Sequence, residues 1–67
     1  MYIEQNGKVT MLIDRQSTET WRDALARVAN RHGCAWEVLR LYDQLVNSGH
    51  KPPEAVRRAV RDYYSQL

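Results

Sequence analysis

The chain has 67 residues, ten of them Lys or Arg and eight Asp or Glu, for a formal charge of +2. Its single cysteine excludes an intrachain disulfide, and with it a disulfide-stapled secreted scaffold. The balance of charge describes a mixed surface and not a polycation, but eight of the ten cations are arginines, which fork onto phosphates and carboxylates better than lysine does.

A chain this short forms one domain, residues 1–67, near the lower size limit for an unassisted hydrophobic core. Without a staple or a metal set, tight packing or a second copy has to complete that core, so a homodimer is expected. The opening residues MYIEQNGKVTMLID carry neither a basic leader nor a continuous apolar run. Neither a signal peptide nor a membrane span is expected, and the expected compartment is the cytoplasm.

In YIEQNGKVTMLI, Asn6-Gly7 separates two β-capable runs and predicts a β-hairpin over about residues 2–13. Strict alternation places Val9, Met11 and Ile13 on the core face, with Lys8, Thr10 and Leu12 on the other. Leu12 then faces either a second covering layer or a partner. The polar DRQSTET ends the strand, and Ser17, Thr18 and Thr20 compete to cap a helix over about 18–32. Trp21, Ala24, Leu25, Val28, Ala29 and His32 form its stripe, Arg27 and Arg31 sit towards its end, and Gly33 stops it.

A second helix, about 35–48, has a wide apolar arc of Ala35, Val38, Leu39, Leu41, Tyr42, Leu45 and Val46, and is expected to be the most buried. Pro52-Pro53 opens a third helix, about 52–66, with Ala55, Val56, Ala59, Val60, Tyr63 and Leu67 inward. The predicted class is α+β: a single small domain with an N-terminal hairpin followed by three packed helices.

On the third helix, Arg57, Arg61 and Tyr64 share a strip beside the apolar stripe, a composition that holds phosphates and stacks on bases. The plain alternative is a solvated face in which Glu54–Arg58 and Arg58–Asp62 form i,i+4 pairs; Arg57 and Arg61 fall outside those two pairs. Trp36 falls on the polar side of the second helix with Arg40 one turn away. It is either a partner-binding hot spot with a cation–π neighbour or a ring folded back onto the first helix or the hairpin. Cys34 and His32 in RHGC, with His50, lack the base, orienting group and ligand count that catalysis or metal binding requires. No cofactor, metal, catalytic group or small-molecule substrate is expected.

From residue 8, KVTMLID followed by helix, Gly33 and helix resembles the ribbon-helix-helix fold of bacterial repressors and antitoxins. WRDALARVANRHGCAWEVLRLYDQLVNSG is similar to the family's helix–glycine–helix part, and LYDQLVNSGHKPPEA to the end of the second helix in some antitoxins. The resemblance spans about residues 8–54. It implies that strands from two chains pair and enter the DNA major groove, with Lys8, Thr10 and Leu12 facing the bases. The Asn-Gly hairpin and the third helix are additions to that pattern, and Leu12 is a poor base reader.

The leading functional expectation is a small non-enzymatic DNA-binding regulatory protein, acting as a dimer, with Lys8, Thr10, Arg57, Arg61 and Tyr64 on the nucleic acid. The alternative is a protein–protein interaction module, an adaptor or an inhibitor of a partner, using Trp36 and Arg40 or the hairpin edge.

Overall fold

In the computed structural model, which describes residues 1–67, β1 (Tyr2–Gln5) and β2 (Lys8–Leu12) form an antiparallel hairpin. Three helices follow: α1 (Trp21–Arg31), α2 (Ala35–Asn47) and α3 (Pro52–Ser65). The α+β order expected from the sequence is the order observed.

Asn6 and Gly7 hold φ at 54° and 78°, the two positive angles that let a two-residue turn match the twist of its strands. Tyr2 then faces Leu12 and Ile3 faces Met11, but Glu4 faces Val9, so Thr10 is an extra residue in β2. Its hydroxyl donates to the Ile3 carbonyl at 3.0 Å. This bulge corrects the expected alternation, because one inserted residue reverses the parity of the strand. Met11 and Ile13 are buried, whereas Val9 points outward and is 53% exposed. Leu12 and Tyr2 face each other on the same outer surface. Met1 extends the ladder, its ammonium donating to the Ile13 carbonyl and its carbonyl accepting from the Ile13 N–H, both at 2.9 Å.

Among the competing caps, Thr20 is the one used: its hydroxyl accepts from the Asp23 N–H at 3.0 Å, so α1 begins at Trp21 and not near residue 18. Arg27 does not sit at the helix end as a dipole partner. It reaches back to both carboxylate oxygens of Glu19, at 2.9 and 3.0 Å, and to the Asp14 carbonyl at 2.8 Å, fixing the connecting segment as a loop.

At the end of α1, Gly33 has φ 73°; its N–H donates to the Asn30 carbonyl and the Cys34 N–H to the Ala29 carbonyl. These are the two bonds of a Schellman stop, which needs a left-handed residue at that position. The end of α2 repeats the pair with Gly49 to Val46 and His50 to Leu45.

The core comprises Ile3, Met11 and Ile13 from the hairpin segment, Ala24, Leu25, Val28 and Ala29 from α1, and Ala55, Val56, Ala59 and Val60 from α3. Cys34, Val38 and Tyr42 complete it. Helix α2 packs against both other helices, and α3 also backs the hairpin. The small side chains of α3 let backbones approach closely, which is how so short a chain closes a core.

Three burial expectations need correction. Helix α2 is not the most buried, since only Val38 and Tyr42 are enclosed while Leu39, Leu41 and Leu45 are half-buried and Val46 lies at the surface. It lies between two neighbours and has one long side facing solvent. His32 is exposed because it caps α1 beyond the packed stripe. Leu67 is 80% exposed because α3 ends at Ser65 and leaves it past the last turn. No helix is long and apolar enough to cross a membrane.

Candidate functional site

Helix α3 starts with Pro52 and Pro53 in the turn where missing N–H groups cost nothing. Its buried side is Ala55, Val56, Ala59 and Val60, so helical spacing turns Arg57, Arg58 and Arg61 to solvent. No carboxylate lies within 4.0 Å of these three guanidinium groups, and none of them makes a hydrogen bond within the fold. The expected Glu54–Arg58 and Arg58–Asp62 pairs are therefore not formed. Glu54 instead lies 3.4 Å from His50 Nδ1, an ion pair whenever that ring is protonated. Exposed i,i+4 pairs gain only a few tenths of a kcal/mol, too little to hold long side chains against solvent.

A shallow depression over this strip is bordered by Lys51, Arg57, Arg58 and Arg61, with Glu54 and Asp62, and holds no leucine, valine or aromatic ring. Lys8 lies on the hairpin and does not border that depression. It faces Gln5 across the turn, and Gln5 Nε2 donates to Ser65 Oγ at 2.8 Å, one turn beyond Arg61. The turn end of the hairpin is thus tied to the last turn of α3.

Thr10 and Tyr64 have different work. The Thr10 hydroxyl is engaged at the bulge, and its carbonyl accepts from the Tyr64 hydroxyl at 3.4 Å. Tyr64 is half-buried and meets Tyr63 edge to face, with centroids 5.2 Å apart. Burial pushes the Tyr64 phenol up, so it stays neutral and remains a donor. Both residues join the hairpin to α3. Of the sequence-nominated set, Lys8, Arg57 and Arg61 keep free polar ends.

The second nominated surface is on α2. Trp36 lies on the side opposite Val38 and Tyr42 and is 70% exposed, which decides against a ring folded into the core. The Arg40 guanidinium lies 5.6 Å from the centre of the indole. Trp21, by contrast, is half-buried under Arg15, whose guanidinium is 5.2 Å from its ring centre.

Beside Trp36, Arg22 and Asp43 form a two-pronged pair, Nε to Oδ1 and one terminal nitrogen to Oδ2, both 2.9 Å. That pair holds the Asp43 carboxyl below its usual range and raises Arg22. Sequence reasoning missed it, since the partners stand 21 positions apart on different helices. It missed the Arg27–Glu19–Asp14 cluster for the same reason.

Cys34 is buried, its thiol donating weakly to the Ala29 carbonyl at 3.7 Å, and burial pushes its pKa up. A neutral, enclosed thiol is a poor nucleophile. No three His, Cys, Asp or Glu side chains converge. Both hairpin strands keep an unpaired edge.

Comparison with protein-family models, with curated proteins and with solved structures finds no match. Two surfaces stand apart from the rest of the molecule: a cationic strip on α3 and an exposed tryptophan on α2.

Proposed function

We propose that this chain is a small non-enzymatic DNA-binding regulatory protein that holds the duplex backbone with α3 and acts as a dimer. One observation carries the reading. Arg57, Arg58 and Arg61 project together from α3 with no carboxylate in ion-pair range and no leucine, valine or aromatic ring among them. Guanidinium matches phosphate in charge and in fork geometry. A protein interface normally has an apolar or aromatic centre, whereas a nucleic-acid contact is polar and positive throughout. Lys8, held near the last turn of α3 through Gln5 and Ser65, extends the same set.

The strip contains no Asn or Gln aimed outward between the arginines, so any base that its arginines read would be guanine, through a fork to O6 and N7. A second copy doubles the number of phosphates reached. The outer hairpin face, with Tyr2, Val9 and Leu12 exposed, is where that copy would pair.

Fluorescence anisotropy with a short labelled duplex of arbitrary sequence tests the proposal. Three to four phosphate contacts per copy correspond to a log–log salt slope of about −3 per bound copy. Replacing Arg57 and Arg61 together by Gln should reduce the magnitude of that slope by about two. Absence of binding at low salt, or binding that the double variant retains, removes the reading.

A further inference from the structure

We infer that α3 enters the major groove of duplex DNA, with Arg61 on a guanine and Glu54 on a cytosine about three base pairs away, while Arg57 and Arg58 hold phosphates on the two walls. The inference rests on the nucleic-acid reading and gives it a base preference. It starts from the order of side chains around the helix. Ala55, Val56, Ala59 and Val60 are buried, and at about 100° per residue the line opposite their centre runs within about 10° of Glu54 and Arg61. Arg57 and Arg58 stand about 50° to either side of that line.

A contact with phosphates alone would leave Glu54 on the line of closest approach, where a carboxylate is repelled. Base edges remove that conflict. In the major groove the cytosine amino group is a donor that a carboxylate accepts from, and guanine O6 and N7 take the two prongs of an arginine. Glu54 can turn to such a donor, because its one ionic neighbour is His50, at 3.4 Å, which is a charge partner only when protonated. On a duplex lacking the guanine, Arg61 takes a phosphate like its neighbours. Along the helix, the seven residues from Glu54 to Arg61 span about 10.5 Å, the rise of about three base pairs. A helix with its side chains is about 10–12 Å across, and the groove is about 12 Å wide. Every residue bordering the depression over the strip lies between 51 and 62, so no other element of the fold rims that face.

Other nucleic acids fit less well. A single strand is held by rings that stack on its bases, and no aromatic side chain borders the strip. Duplex RNA presents a deep, narrow major groove that side chains do not read. The minor groove of DNA, about 6 Å wide, is too narrow for a helix and does not show the cytosine amino group.

Selection by the full chain from a pool of DNA duplexes with a randomised core tests the inference. Enriched cores should carry two G·C pairs about three steps apart, and changing either to A·T should weaken binding about tenfold or more. Arg61→Gln should move the preference at one pair from guanine to adenine. Glu54→Gln should move it at the other from cytosine to adenine, since Gln forks onto adenine. Placing 7-deazaguanine at the first pair should weaken the wild type and leave Arg61→Gln unchanged. Arg58→Gln should lower the salt slope by about one and keep the base preference. Circular dichroism checks the fold of each variant. Salt-dependent duplex binding without G·C enrichment, an enrichment that Arg61→Gln and Glu54→Gln leave in place, or equal affinity for duplex RNA of the selected sequence would each overturn the inference while the nucleic-acid reading stands. Absence of duplex binding at low salt would remove both.

Discussion

At the scale of single residues, the polar side chains divide into those that hold the loop and those that face out. Glu19 belongs to the first group: two hydrogen bonds from Arg27, then the Gln16 N–H, keep its carboxyl below the usual glutamate range. A carboxyl whose pKa is lower folded than unfolded stabilises the fold above its unfolded value, and that contribution is lost as pH falls through the folded value. Wild type should therefore exceed Glu19→Gln in stability at neutral pH, and the gap should close as pH drops below about 4, near the free glutamate pKa. Urea unfolding at several pH values measures the gap; one that stays constant with pH would contradict the role assigned to Glu19. Trp36 belongs to the second group. Its replacement by Ala should move stability by no more than about 0.5 kcal/mol, as for other surface positions outside special contacts. A larger loss on chemical denaturation would mean that the indole serves the fold.

At the scale of elements, turns and caps follow from local chemistry, and the structure repeats what the residues imply. Asn6-Gly7, Thr20, Gly33 and Pro52-Pro53 act within a few residues of themselves, so a reading of neighbours suffices. Gly33 offers a direct check. A Cβ built there meets no atom within 4 Å, so Gly33→Ala carries only the cost of the left-handed conformation. That cost is about 1 kcal/mol, and Gly33→Asn should lose less because Asn tolerates that region better. Thermal unfolding of the two variants should rank them in that order. Strand parity is different. Nothing in KVTMLI announces that Thr10 bulges; Ile3 and Met11 are both drawn to the core, and one residue is displaced between that pair and the tight turn.

At the scale of the whole molecule, one chain closes the core by itself. The radius of gyration is 10.8 Å, against about 11 Å for a compact chain of this length. Any dimer is then an association of folded monomers, so the unfolding midpoint should be independent of protein concentration below the dimer's dissociation constant and rise with concentration only above it. Loss of the fold on dilution to where the dimer dissociates would mean that folding needs the second copy. Leu25 is fully enclosed among α1 and its neighbours, so Leu25→Ala should cost about 2–5 kcal/mol and lower the midpoint sharply. A shift of only a degree or two would place that core elsewhere.

The sequence alone determined the element order, the helix stops, the start of α3, most of the buried stripe of α1 and α3, and the outward direction of Arg57 and Arg61. Those properties depend on a helical or strand period and on groups a few positions apart. Tertiary structure decided the rest: the bulge at Thr10, the exposure of Val9 and Trp36, the use of Tyr64 as a tie to the hairpin, and the partners of Arg22 and Arg27. Each is a competition between groups distant in the chain, settled only when packing brings them together.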